Sequence, residues 1–396
     1  MAMRKAFSPL LLILVFITKS VECRWSFTEE EDLEFEKQLK ILNKPPVKTF
    51  QSQSGHFYDC IDIYKQPAFD NPLLKDHKLQ MSPSSFPRGV TRELQPSTAK
   101  YNFYKNISCP LGTVQIRRTT KNDLIHAKTL QNHIKGHNSF QSKIASLNGS
   151  HFAVMKSVLG EYYGSHAALV VYGFPNITLN QLTMSEIWVI GGAEGPEDEV
   201  NVVQAGWDVF PSLNGDSLTQ LFTYWTADGY KKACYNLECQ GFVVVSRSAS
   251  PGIEIFPLST YGGIQELIDI TIFKDQETGN WWLAFGDDFV GYWPKENFNK
   301  MEKATEVDWG GAVYSPLNEP SPPMGSGHLP FEGLNKTCYF LNVELVDKNN
   351  KYYSADKINV ELGADAPSYY NIDENMETGY PDGYRFRYGG PGGYTG

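Results

Sequence analysis

The second half of this chain predicts an all-β, antiparallel sandwich, on three observations. Residues 267–273 alternate strictly: Ile268, Ile270 and Ile272 face one way and Asp269 and Thr271 the other, the period of a strand with one wet face. Glu277-Thr278-Gly279-Asn280 supplies a turn, and residues 281–285 and 289–293 continue the meander. No long helical pattern interrupts the region, and glycine and tyrosine recur through it. Further strands are expected at 167–172, 186–190, 241–245, 341–345 and 384–388. A small mixed α/β region precedes this domain.

The elements follow in chain order. Met1-Ala2-Met3-Arg4-Lys5 is a short positive start, Leu10 to Ile17 is unbroken and apolar, and Val21 and Cys23 suit a cleavage site. Residues 1–23 therefore read as a secretory signal peptide. The apolar run is short for a bilayer and no later run reaches the length of a span. The expectation is a soluble secreted product with no membrane partner. Asn106, Asn148, Asn176 and Asn335 head Asn-x-Ser/Thr sequons and are glycan candidates where they face solvent.

Thr28 caps a helix, with Glu31 at the capping-box spacing and four acids in the first turn. Phe35, Leu39 and Leu42 share one face, and Pro45-Pro46 stop the helix. Such a face needs a partner surface, expected to be the rest of this chain. Residues 57–69 read as a strand and then an irregular, proline-limited stretch. Residues 109–118 read as a turn and a strand ending in Arg117-Arg118. A helical turn or two is expected over 121–128, and residues 129–150 read as an exposed, cleavable linker.

Charge divides the chain. Its formal net charge is -10. Residues 24–140 hold 17 Lys/Arg against 12 Asp/Glu, while residues 141–396 hold 15 against 32. A basic front and an acidic back predict docking of one on the other. The acidity argues against nucleic acid as a partner. If Cys23 leaves with the signal, five cysteines remain. Cys234 and Cys239 are close in what reads as a hairpin and favour a disulfide in an oxidising compartment. Cys60 and Cys109 are candidates for a second. Cys338 is left either as a buried thiol or as an intermolecular link. The histidines do not cluster with cysteines at ligand spacing, so neither metal nor cofactor is expected. Most tryptophans suit core packing. Trp188, Trp207, Trp225 and Trp309 are the candidates for a substrate groove, where aromatic faces hold peptides or sugars.

Several motifs together resemble the neprosin family of secreted plant glutamic peptidases. The front half is similar to the family's activation-peptide region in Asp59-Cys60-Ile61-Asp62-Ile63-Tyr64-Lys65-Gln66-Pro67-Ala68-Phe69-Asp70 and in Cys109 to Arg118. The back half resembles the peptidase region in Tyr162-Tyr163-Gly164, Gln204-Ala205-Gly206-Trp207, Leu221 to Thr226 and Cys234-Tyr235-Asn236-Leu237-Glu238-Cys239. Trp309-Gly310-Gly311, Met324-Gly325-Ser326-Gly327-His328 and Tyr388-Gly389-Gly390-Pro391-Gly392 continue it. The resemblance implies a signal peptide (1–23), an activation-peptide-like region (24–140) and a peptidase-like β-sandwich (141–396). It also implies cleavage beside proline at acidic pH.

The family's chemistry needs two glutamates, one just before Ala-Gly-Trp and one directly after Trp-Gly-Gly. Here those positions hold Gln204 and Ala312. An amide donates a hydrogen bond but is no useful base, and alanine offers neither proton nor hydrogen bond. Asp308, four residues before Ala312 on the same side of a strand, is too far along it to substitute. Glu197, Asp198 and Glu199 read as solvated surface. Ser326 and His328 lack a nucleophile elbow and a third residue, and read as residues that shape the family's cleft or a turn. The expected function is therefore a secreted, peptidase-like glycoprotein without glutamic-peptidase activity. Its partners would be its own pro-region and a proline-rich peptide or cell-wall protein, and its location extracellular, in the cell wall or vacuolar. The alternatives are an acid-pH, proline-directed endopeptidase using substitute carboxylates, and a structural secreted glycoprotein.

Overall fold

The computed structural model describes residues 28–89, 108–125, 149–231, 234–355, 358–374 and 383–395. The signal segment, Asn106, Asn148 and the linker up to residue 148 lie outside the described residues. In chain order the strands are β1 (Lys48–Gln51), β2 (Phe57–Asp62), β3 (Thr113–Arg117), β4 (Ser150–Ser157), β5 (Gly164–Val170), β6 (Leu182–Gly191) and β7 (Asn201–Val209). They continue with β8 (Gln220–Thr226), β9 (Cys234–Tyr235), β10 (Val243–Val244), β11 (Leu267–Lys274), β12 (Trp281–Phe285), β13 (Asp288–Trp293) and β14 (Glu306–Tyr314). The last are β15 (Cys338–Val346), β16 (Tyr352–Ser354), β17 (Val360–Ala364), β18 (Asn371–Asp373) and β19 (Phe386–Gly389).

Two antiparallel sheets make the sandwich. One runs β17-β4-β14-β6-β7-β8-β9, and the other runs β10-β13-β12-β11-β5-β15-β19-β18 with β16 paired to β15. Between them lies one apolar core. Ala153, Met155, Ile187, Val189, Val203, Ala205, Trp207 and Trp309 come from the first sheet, and Leu169, Ile268, Ile270, Ile272 and Leu283 from the second. The predicted all-β sandwich is the fold, and β12 coincides with the run expected at 281–285.

The front of the chain forms a small three-stranded sheet, β1-β2-β3, and the helix α1 (Glu29–Leu42). Thr28 and Glu31 make a reciprocal capping box. The face of Phe35, Leu39 and Leu42 packs on Leu124 and Ile125, so the partner surface is this chain. Residues 121–125 are helical, as expected there, whereas Ser150, assigned to the linker, opens β4.

The outer side of the nine-stranded sheet departs from expectation. It carries Val243, Phe273, Trp282 and Tyr292, and it is covered by Ala68, Leu74, Phe69, Leu79 and Phe86 from the front segment. Thr271 is thus buried rather than wet, and its hydroxyl meets His166 Nδ1 at 3.0 Å. The front segment is also pinned by hydrogen bonds. The Gln66 side chain pairs with both backbone groups of Val244, donating at 3.0 Å and accepting at 2.8 Å. Arg247 donates to the Cys109 carbonyl at 2.6 Å. Asp275 accepts from the Ser84 amide at 2.8 Å, from the Ser84 hydroxyl and from Gln80.

Among the described residues the charge split does not act as a lysine-to-carboxylate clamp. Lys44, Arg118 and Lys121 pair with Asp70, Asp59 and Asp32 of their own segment. Among the described residues two histidines pair with acids of the sandwich: His56 with Asp216 at 2.6 Å and His77 with Glu296 at 3.3 Å. Cys60–Cys109 and Cys234–Cys239 are both disulfides. Cys338 is a buried thiol. Its Sγ lies 3.4 Å from the Val170 carbonyl and 3.3 Å from the Tyr388 hydroxyl, and burial pushes its pKa up to about 12.

Candidate functional site

Strand register decides which side chains share a face. β6 is the middle of three adjacent strands, with β7 on one side and β14 on the other. Trp188 stands opposite both Gln204 and Asp308, Glu186 opposite Gly206 and Gly310, and Met184 opposite Asp208 and Ala312. All of these lie on the outer face of the seven-stranded sheet. Gln204 and Ala312 occupy opposite corners of this patch, roughly 16 Å apart between Cα atoms on a flat sheet and nearer on a twisted one. Asp208 and Asp308 occupy the other two corners, and Glu186 stands at the crossing.

Glycine on both neighbouring strands leaves Glu186 free of flanking side chains. A Cβ on Gly206 would lie 1.9 Å from the Ser185 carbonyl oxygen, and one on Gly310 would lie 2.2 Å from that of Ala153. Gly310 also holds φ +154°, which side chains disfavour. Larger residues rise at the two sides. Phe152 and Tyr314 stand on the β4 and β14 side, and Tyr224, Tyr230 and Tyr235 on the β8 and β9 side. The result is a trough with a tightly packed floor, in which Gln204 is 5% exposed and Ala312 7%.

The floor is ordered by a short hydrogen-bond chain. The Gln204 amide is oriented by its neighbours, its nitrogen donating to Glu186 Oε2 at 2.9 Å and its oxygen accepting from the Trp188 indole at 3.3 Å. Burial, reinforced by Asp208, holds the Glu186 pKa well above the usual carboxylate range. Burial lifts Asp208 to about 7, against a hydrogen bond from Asn214 and the field of Arg117. Burial lifts Asp308 to about 8, opposed by Lys156 and assisted by Glu306. Lys156 sits 3.3 Å from Asp308 and 3.7 Å from Glu306. Glu186 Oε1, Asp208 Oδ2 and Asp308 Oδ1 have no hydrogen-bond partner among the described residues.

The structure separates the four candidate groove tryptophans. Trp188 alone lies on the trough face. Trp207 and Trp309 point into the core between the sheets, where their indoles donate to the Val170 carbonyl at 2.9 Å and to Ser165 Oγ at 2.8 Å. Trp225 stands opposite Val203, packs at the border of the same core and meets Phe298 edge-on. Alternation forces this: residues 207 and 309 have the opposite parity to 204 and 312. The residue that sequence reasoning missed is Glu186. A single carboxylate inside a strand with no other charge was the available signal.

The remaining expected residues fall elsewhere. Glu197, Asp198 and Glu199 form a surface turn, where Asp198 pairs with Lys231 and Glu199 with Lys300. Ser326 donates to the Lys336 carbonyl and accepts from the His328 amide, while His328 Nδ1 meets Glu332. Both shape a turn. Asn176 and Asn335 are exposed. No group of three or more His, Cys, Asp or Glu placed to hold a metal occurs among the described residues. No described helix is long and apolar enough to cross a membrane.

In structure the chain is similar to scytalido-glutamic peptidase bound to a peptide-based transition-state analogue, at 9% identity and TM-score 0.30, over 61% of this chain and 97% of that one. It is similar to SCP-B, an eqolisin-family peptidase in complex with the tripeptide Ala-Ile-His, at 10% identity and TM-score 0.29 with the same coverage. A homodimeric agglutinin from chicken liver matches at 9% identity and TM-score 0.22, over 41% of this chain and 92% of that one. Residues 49–156 match the family described as Neprosin activation peptide, which reaches into β4. Residues 179–391 match the family described as Neprosin, spanning every strand of the trough floor, and the chain belongs to the neprosin family.

Proposed function

We propose that this chain is a secreted, peptidase-like neprosin that holds an extended peptide in the trough without the family's two-glutamate chemistry. The observation that carries this reading is the pairing of Gln204 and Ala312 on one face. Peptide hydrolysis needs a carboxylate to take a proton from water and a second group to polarise the carbonyl. Gln204 retains only the second ability, and Ala312 has neither. The nearby acids do not fill the gap. Asp308 is four residues along the strand from Ala312 and is engaged by Lys156. Glu186 is enclosed, holds its proton more tightly than an ordinary carboxylate because it is buried, and is bonded to Gln204. What remains is an amide suited to a peptide backbone between aromatic walls, as a proline-rich peptide or cell-wall protein would require.

In this reading residues 24–140 are the activation region and residues 141–396 the peptidase-like domain. The separating cut lies before Gly149, because β4 pairs on both edges, with β14 and β17. Asn176 and Asn335 carry glycans. The endopeptidase alternative is favoured by one observation, the elevated acids Glu186, Asp208 and Asp308 gathered on the trough floor.

Titration of the protein with proline-rich peptides, with mass spectrometry for products between about pH 3 and 7, tests both. Saturable binding, weakened severalfold by Gln204→Ala and without product, is expected. Cleavage by the natural chain would establish the alternative, and absence of binding would remove the peptide reading.

A further inference from the structure

One end of the trough floor is acidic, and an arginine of the front segment already reaches it. Asp208 lies on β7 four residues from Gln204 and on the same face. Its Oδ1 accepts from Asn214 Nδ2 at 3.1 Å. Asn214 and Asp216 belong to the turn that follows β7. Arg117, the last residue of β3, donates from Nη2 to the Asn214 carbonyl at 2.7 Å and lies 3.2 Å from His56 Nδ1 and 3.9 Å from Asp123. The His56 Nε2 then meets Asp216 at 2.6 Å. Glu238, inside the Cys234–Cys239 loop, lines a cleft with Arg117, Asn236, Pro251 and Gly252.

Arg117 therefore bonds the Asn214 carbonyl beside Asp208, reaches Asp216 through His56 and shares a cleft with Glu238. Burial pushes the carboxyl groups of Asp208 and Glu238 up, opposed by the Arg117 charge, whereas Asp216, also penalised by burial, is held low by His56, the Leu218 amide and Arg117. Two fully buried oxygens here, Asp208 Oδ2 and Asn214 Oδ1, have no donor among the described residues. Both accept only, and a guanidinium offers five donors in a planar fork. The site thus has more acceptors than Arg117 satisfies.

We propose that Asp208, Asp216 and Glu238 form a subsite for an arginine or lysine side chain of a bound peptide, which Arg117 occupies while the front segment is in place. The inference rests on the peptide-binding reading and adds a charge preference to it. A peptide running from Gln204 towards Asp208 would place a side chain at this end. Arginine fits better than lysine, because its fork of five donors can serve several acceptors at once.

The test uses the full chain carrying Arg117→Met, which keeps the apolar stem and removes the charge, with Arg117→Ala as a second variant. Circular dichroism verifies folding. Acetyl-arginine amide, acetyl-citrulline amide and two proline-rich peptides differing only in arginine against citrulline are titrated by calorimetry. The arginine forms are expected to bind the variants about tenfold more tightly than the citrulline forms, the size of one charge-assisted hydrogen bond. The natural chain should show no such preference, and adding Asp216→Asn should abolish it. Peptide binding by the folded variants without an arginine preference would overturn the subsite alone. Acetyl-arginine amide bound without any peptide would uphold the subsite and contradict the peptide reading.

Discussion

Glu186, Asp208 and Asp308 hold their protons more tightly in the folded chain than in the unfolded one, because each carboxyl is buried. Their contribution to stability is complete below the ordinary carboxylate values and is lost as pH rises towards about 7 for Asp208 and about 8 for Asp308. The melting temperature is therefore expected to fall between about pH 5 and pH 8, and Glu186→Gln, of the same shape but with no proton to lose, should flatten that slope. A variant with the natural slope would mean that Glu186 is ionised in the folded state. The tryptophans give a second residue-level expectation. Trp309→Ala should cost about 3–5 kcal/mol in urea denaturation, since its ring is fully buried and its indole is bonded to Ser165. Trp188→Phe should cost less and act on peptide binding, by releasing the Gln204 amide.

At the scale of elements, β6 organises the site. It places Glu186 between two glycines that cannot be exchanged. Gly310→Ala would drive a methyl group into the Ala153 carbonyl and break the pairing of β14 with β4. Little folded protein is expected from it, measured as soluble yield and circular dichroism; a stable Gly310→Ala protein would contradict the close approach. The same strands explain what the sequence concealed. β11 and β12 were legible because one alternates cleanly and the other is a compact apolar run. β7 and β14 are buried on both sides along nearly their whole length, so the alternation that marks a half-wet strand is erased. Positions 204 and 312 drew attention through their flanking tryptophan and glycine residues. The carboxyl group between them did not, since cross-strand register, set by distant residues, brings it there.

On the scale of the whole molecule, acid acts on the two parts in opposite directions. Asp275 anchors the front segment. Burial raises its pKa, but hydrogen bonds from Ser84 and Gln80 outweigh this and hold it below the ordinary value. Asp216 behaves alike through His56 and the Leu218 amide. A depressed folded pKa gives stability that is present above the unfolded value and lost as pH falls through the folded one. Strong acid therefore loosens the front segment while it stabilises the trough floor. Limited proteolysis at matched protease activity should cut ahead of Gly149 faster as pH falls below about 3.8, and Asp275→Asn should bring that loosening to neutral pH. Equal protection at all pH values would contradict it. The opposite net charges of the two halves anticipated docking but not its means. Contacts across the interface include amide pairs, buried carboxylates and histidines beside the hydrogen bonds of Arg117 and Arg247, and a count of charges does not foresee them.

The most direct test of the central claim, a sound peptidase scaffold lacking its acid pair, is peptide hydrolysis by the natural chain beside a Gln204→Glu plus Ala312→Glu variant. Both would be assayed against proline-containing peptides from about pH 2.5 to 7. A silent natural chain and a cleaving variant are expected. Cleavage by the natural chain, abolished by Glu186→Gln, would show instead that the buried acids had replaced the missing pair.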